Sequence, residues 1–165
     1  HLPSGQHALN DEYYKRIEAI QFTMSHDDGK KVDDISNADV ILLGVSRTSK
    51  TPTSIYLANR GYKTVNIPLV LDQKIPESLK FNNTSCIIGL VADPERLSDI
   101  RRNRVAIMKD QKLKEYTDLD VIKKEVEDSK KLFKKNNWPL IDVTRRSVEE
   151  TAASILKIID IKKNK

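Results

Sequence analysis

Cysteine occurs once in the 165 residues, at position 86, so no internal disulfide can form and no cysteine cluster can hold a metal ion. Cys86 lies in an apolar run, where a buried, inert thiol is expected. No apolar run approaches the length of a membrane span and no signal peptide is visible, so the expected compartment is the cytoplasm, with no membrane partner. Aromatic residues make up only 5%, and none interleave with the basic ones. The net charge of +5 therefore points to an anionic small ligand or an acidic protein partner, not to nucleic acid. No internal repeat is visible. What is present, 38% hydrophobic and 32% charged residues, suits one globular domain with a proper core.

The chain is organised around the stretch from Ala38 to Ser54. Val40-Ile41-Leu42-Leu43 is a short apolar run of the kind a central strand needs. Gly44 is expected to free the backbone to turn, and Pro52 suits the first turn of a helix, where its missing N–H is no loss. Between them, Gly44-Val45-Ser46-Arg47-Thr48-Ser49-Lys50-Thr51 is one residue away from the phosphate-binding pattern G-x-x-x-x-G-K-[ST]. N–H groups of such a loop can curl around phosphate oxygens, and the helix N-terminus adds positive potential. Lys50 would supply a mobile cation, and the Thr51 hydroxyl a ligand for magnesium. Ser49 stands where the pattern has Gly, so either it takes an unusual φ or the loop is shaped differently.

Around this unit the chain alternates. A helix capped by Asn10 runs to about Ser25, with Tyr13, Ile17, Ile20 and Met24 expected on its buried face. His26-Asp27-Asp28-Gly29 follows, readable as a polar helix exit or as an acidic pair whose mutual repulsion raises one pKa toward a useful base. Strands are expected over Tyr62–Leu69, Ser85–Ala92 and Leu140–Thr144. Asp93 suits both a helix N-cap and a magnesium ligand just past a strand. Arg101, Arg102 and Arg104 form either a solvated face or a group that closes over phosphates. Further helices are expected over Leu119–Asn136 and from a Ser147–Glu150 capping box onward, with Trp138 packing between. The order implies an α/β fold, a mostly parallel sheet flanked by helices and kinase-like in its phosphate loop. Ligands in such sheets bind outside the carboxyl ends of the strands, which carry Gly44–Thr51, Pro68, Asp93 and Thr144-Arg145-Arg146.

The run from Gly44 through Pro52-Thr53-Ser54 to Gly61 closely resembles the signature of the pyruvate, phosphate dikinase and phosphoenolpyruvate synthase regulatory proteins. The likeness extends to Arg16–Ile20, His26–Gly29, Asn66–Val70, Gly89-Leu90, Pro94–Leu97 with Ile100-Arg101, Trp138-Pro139 with Ile141–Thr144, and Ser147–Ala152. The resemblance implies a bifunctional enzyme. Its kinase activity uses ADP to phosphorylate a threonine near the catalytic histidine of the dikinase. Its second activity uses inorganic phosphate to remove that group, releasing pyrophosphate. Family members carry a further N-terminal region, so residues 1–9 are expected to be a linker from it and 10–165 the nucleotide-binding catalytic domain. A homo-oligomer is compatible with that arrangement.

Carried onto this chain, the resemblance makes Gly44, Val45, Ser46, Arg47, Thr48, Ser49, Lys50 and Thr51 the nucleotide loop, with Ser49 as the family's own variant. His26, Asp27 and Asp28 join Lys50 as catalytic candidates, with Asp27 or Asp28 either the general base or a magnesium ligand; Arg101 and Arg104 are further nucleotide contacts, Thr51 and Asp93 magnesium ligands, and Asp142 a further candidate. Two alternatives remain: a kinase for a small metabolite, which needs an enclosed acceptor pocket, and a nucleotide sensor without catalysis, which would bind nucleotide and transfer nothing.

Overall fold

A computed structural model of the chain describes residues 4–26, 35–70, 75–80, 82, 84–108 and 117–163. Four strands form one sheet: β1 (Val40–Gly44), β2 (Thr64–Pro68), β3 (Cys86–Val91) and β4 (Leu140–Asp142). Their order is β2-β1-β3-β4 and every pairing is parallel. Leu43 sits beside Ile67 on one flank and Gly89 on the other, and Leu90 beside Ile141. Parallel neighbours need long crossovers, and helices supply most of them. The helices of the described residues are α1 (Ser4–Ser25), α2 (Lys50–Asn59), α3 (Glu77–Lys80), α4 (Pro94–Met108), α5 (Leu119–Lys135) and α6 (Val148–Lys163), and a 3-10 turn spans Ile35–Asn37.

β1 is buried along its whole length, as an apolar strand covered on both faces must be. Its alternate residues serve two cores. Val40 and Leu42 join Ile88 and Leu90 of β3 under Leu57, Leu97, Ala152, Ile155 and Ile159 of α2, α4 and α6. Ile41 and Leu43 join Val65 and Ile67 of β2 over Leu79 and Phe133, with Phe22 and Trp138 against them. Phe133 needs a gap in the sheet. A Cβ at Gly89 would lie 2.3 Å from its ring, so only glycine lets α5 seat here. Trp138 thus packs, as its place after α5 suggests.

Asp118 accepts from the N–H groups of Asp120 and Val121 at the start of α5. The Ser147 hydroxyl accepts from the Glu150 N–H at 3.1 Å and donates to its carboxylate at 3.2 Å, opening α6. Arg60 closes α2, and Gly61 follows with φ 90°.

α1 departs from expectation twice. It begins at Ser4, ahead of the Asn10 cap. Among its described side chains Ala19 and Thr23 are buried, as is His26 just past its end, whereas Tyr13, Ile17 and Met24 are exposed. The reason is close packing: the Thr23 hydroxyl accepts the Thr64 N–H at 3.1 Å, and Glu18 pairs with Lys63 at 2.7 Å. A helix held that near to β2 buries small and hydrogen-bonding side chains and leaves the large ones outside. Among the described residues no helix is long and apolar enough to cross a membrane.

Candidate functional site

The carboxyl ends of all four strands share one edge, and the turn from β1 into α2 occupies its middle. Gly44 ends β1 with no positive φ, so its role is not the turn freedom expected from the sequence. It is there for space: a Cβ would lie 2.6 Å from the Thr48 hydroxyl and 2.8 Å from the Leu90 carbonyl oxygen. The loop folds back over that bare Cα, and the Thr48 hydroxyl donates to the Val45 carbonyl at 2.8 Å.

The turn itself is made at Arg47 (φ 71°) and Ser49 (φ 64°), both left-handed. Ser49 therefore takes the unusual φ that its substitution for Gly requires. Arg47 does so too, which the spacing does not reveal. Left-handed residues alternating with others turn successive N–H groups toward one side, a concavity that suits an anion. Ser49 is the N-cap residue of α2, and its side chain makes no capping bond. The helix N-terminus is thus fronted by the loop's own backbone. Pro52 falls in the first turn, where its absent N–H costs nothing.

Ser46, Arg47, Ser49, Lys50, Thr51 and Pro52 line a cavity of about 170 Å³, together with Pro68 at the end of β2. Lys50 is buried, and its ammonium donates to the Val45 carbonyl at 2.8 Å and the Thr48 hydroxyl at 3.4 Å. The positive charge is held at the cavity by acceptors of the loop itself. Val45 and Thr48 are buried beneath the loop, Arg47 and Ser49 are exposed, and Thr51 is half-buried. A ligand here would meet a cation, a hydroxyl and a helix terminus together, which is the requirement for gripping a chain of phosphates.

The flank of the same edge is different. Asp93 accepts the Arg96 N–H at 3.1 Å as the cap of α4, and its own N–H donates to the Thr144 hydroxyl at 2.8 Å. That hydroxyl donates to Asp142, which also accepts the Thr144 N–H at 2.9 Å. Burial pushes the Asp142 carboxyl up, but the bonds from Thr144, with Lys130 and Arg146 nearby, hold it below its ordinary value. These acids are occupied as caps, and neither lines the cavity. Among the described residues no group of His, Cys, Asp and Glu is placed to hold a metal ion.

The arginines separate. Arg102 and Arg104 are exposed, whereas Arg101 is 1% exposed and ranks with the largest fully buried side chains. It donates to Glu125 of α5 at 2.8 Å and to the Ser46 carbonyl at 3.0 Å. It therefore reaches the loop from behind, through its backbone, and does not line the cavity. Glu125 is invisible from spacing, and its only signal is an acid next to the apolar stripe of Ile122 and Val126.

His26 is buried. Its ring stacks on Phe22 with centroids 4.0 Å apart, and Nδ1 lies 2.7 Å from the Phe22 carbonyl oxygen and 3.0 Å from the Ser25 hydroxyl. It lies outside the cavity lining. Asp27 and Asp28 lie outside the described residues.

A family model described as kinase/pyrophosphorylase matches residues 1–156. A protein of Pelagibacter ubique that carries the name pyruvate, phosphate dikinase regulatory protein is 66% identical over 165 residues, 99% of this chain and 60% of that protein. Proteins of the same name from Erythrobacter litoralis and Bartonella bacilliformis are 51% and 53% identical over 156 residues, 94% of this chain and 56% of each. The chain spans less than two thirds of the length of these relatives.

Proposed function

The chain belongs to the kinase/pyrophosphorylase family, and we propose that it carries the phosphate-handling site of a protein kinase that regulates pyruvate, phosphate dikinase or phosphoenolpyruvate synthase. The forward reaction takes ADP as donor. The acceptor threonine oxygen attacks the β-phosphorus, the bond from that phosphorus to the bridging oxygen breaks, AMP departs, and the threonine proton passes to a base. In the second reaction an oxygen of inorganic phosphate attacks the threonyl phosphorus. The bond to the threonine oxygen breaks, pyrophosphate leaves, and the threonine oxygen regains a proton.

One observation carries this reading: left-handed Arg47 and Ser49 set the loop around a cavity at a helix N-terminus, with buried Lys50 at its wall. Both reactions move a phosphoryl group between the same two kinds of oxygen, so one cradle serves both. Phosphoryl transfer asks for positioning and charge neutralisation more than for covalent help. Loop N–H groups and Lys50 grip the phosphates, and Arg47, exposed at the rim, can follow the transferred group. The general base comes from Asp27 or Asp28, which follow in sequence directly after His26, itself anchored on Phe22. Magnesium, when bound, neutralises phosphate charge. Thr51, which lines the cavity, would hold it, with Asp93 a second ligand only if it gives up part of its capping role. Arg104 would approach the nucleotide from α4.

The deciding experiment mixes the full-length protein with dikinase phosphorylated on its catalytic histidine and ADP labelled at the β-phosphate. Label should appear on a dikinase threonine, and should leave as pyrophosphate when inorganic phosphate replaces ADP. No label on the dikinase would sink the proposal. Label on a small metabolite alone would favour a metabolite kinase.

A further inference from the structure

Arg101 is a large cation buried almost completely, yet it neither faces the cavity nor serves as a surface charge. Removing a guanidinium from water is costly unless its donors are matched. Here two different nitrogens are committed to two different segments. One donates to Glu125 of α5 at 2.8 Å, and the other to the Ser46 carbonyl at 3.0 Å, inside the phosphate loop. Arg101 itself belongs to α4, which is tied to the start of α5 by a bond from the Ser98 hydroxyl to the Thr117 carbonyl at 3.1 Å.

Resting on the kinase reading of the phosphate loop, we propose that Arg101, locked by Glu125, is a positioning residue that fixes the Ser46 carbonyl and thereby the direction in which the following N–H groups point. Peptide planes are rigid, so holding the Ser46 carbonyl oxygen on the protein side turns the N–H of Arg47, the other end of the same plane, to the opposite side. That is the first N–H of the left-handed run at Arg47 and Ser49. A non-glycine loop with two such residues has a reason to relax when empty, and the brace opposes it. The pair acts through the loop and touches no substrate.

Arg101→Lys separates the two duties. One ammonium keeps the charge opposite Glu125, but it lacks the fork that reaches Ser46 at the same time. In the full-length protein with saturating inorganic phosphate, amide hydrogen exchange across residues 46–50 should rise about tenfold or more, with the thermal midpoint held close to the parent. The KM for ADP should rise and the transfer rate fall by about tenfold to a hundredfold, the scale for small misplacements of a binding group. A purely structural role would reduce the amount of active protein and leave KM alone. Glu125→Gln, which frees Arg101 from α5 without touching it, should raise loop exchange to a level between parent and Arg101→Lys. Loop exchange unchanged in both variants would overturn the brace. If the parent protein itself transfers no phosphate, the kinase reading falls, and the exchange measurement still decides the brace. If Arg101→Lys does not fold, loop exchange in Glu125→Gln decides by itself.

Discussion

The middle and the flank of the sheet's carboxyl edge use polar residues in opposite ways. In the middle, between β1 and α2, the backbone is strained at Arg47 and Ser49, the helix cap makes no side-chain bond, and a lysine is buried. On the flank, at the ends of β3 and β4, Asp93 and Asp142 close ordinary turns with ordinary hydrogen bonds. Both regions offer candidates of the right chemical type. The cavity described above is lined by the region that departs from local rules, and neither Asp93 nor Asp142 lines it. A side chain that satisfies its own neighbourhood is accounted for by folding, whereas a loop that leaves its helix N-terminus uncapped and stores left-handed residues has been shaped for something else.

The sharpest way to test that contrast is Lys50→Met. Lys50 is the cation at the cavity wall, so phosphoryl transfer from ADP should fall by about 100- to 1,000-fold, the usual loss on removing one transition-state donor. Stability should change by no more than about 1 kcal/mol, because its bonds run to the Val45 carbonyl and Thr48 hydroxyl and Met fills similar volume. Initial rates and a thermal melt on the same preparation separate the two. Normal turnover would show that the cradle works without its lysine.

Next in size is Ser49, whose φ of 64° suits no branched residue. Ser49→Val should lower the unfolding free energy by about 1–3 kcal/mol and weaken ADP binding with it. Ser49→Gly should stay within about 1 kcal/mol of the parent, since relief of strain is offset by a freer unfolded chain. Urea unfolding and calorimetric ADP titration check both. Equal tolerance of Val and Gly would mean that the loop is not held in this shape.

The same contrast explains what can be read in advance. The strand, loop and helix from Val40 to Asn59 are legible because an apolar run, a spacing and Pro52 agree with one another. β3 and α5 are legible for the same reason, through an unbroken apolar run and a clear amphipathic face. The buried face of α1 is not, because periodicity counts size. A helix pressed against β2 buries Ala19 and Thr23, with His26 just past its end, while Tyr13 and Met24 stay outside. Gly44 looks in sequence like a flexible joint and is in the fold a clearance for Thr48 and Leu90. The buried link from Arg101 to Glu125 and Ser46 joins residues far apart in the chain, and no local pattern announces such a contact.

On the flank the effects should be smaller. Asp93→Ala removes the cap at Arg96 and should cost about 1 kcal/mol, whereas Asp93→Asn caps equally well and should melt with the parent. The two variants, compared by thermal melts and by transfer rate, test whether the flank is merely structural. Asp93→Asn that melts normally but transfers poorly would make Asp93 part of the working site and dissolve the contrast.

The smallest effect belongs to Asp142, and its sign is fixed by the direction of its pKa. Burial pushes the carboxyl up, but donation from the Thr144 hydroxyl and N–H, helped by Lys130 and Arg146, outweighs that and leaves it below the ordinary value. A carboxyl whose folded pKa is depressed stabilises the fold above its unfolded pKa and loses that contribution as pH falls through the folded one. Asp142 is exposed, so screening keeps the contribution to well under about 1 kcal/mol. Asp142→Asn keeps an oxygen for Thr144 and removes only the charge. Its urea midpoint should therefore lie slightly below the parent's at about pH 6, and the gap should close as pH falls through the depressed folded pKa of the parent's carboxyl. A gap that stays constant would assign the effect to packing. A loss of transfer at about pH 7 with no change in midpoint would move Asp142 from the flank into the site, because a cap that acts only on folding has no other way to reach the reaction.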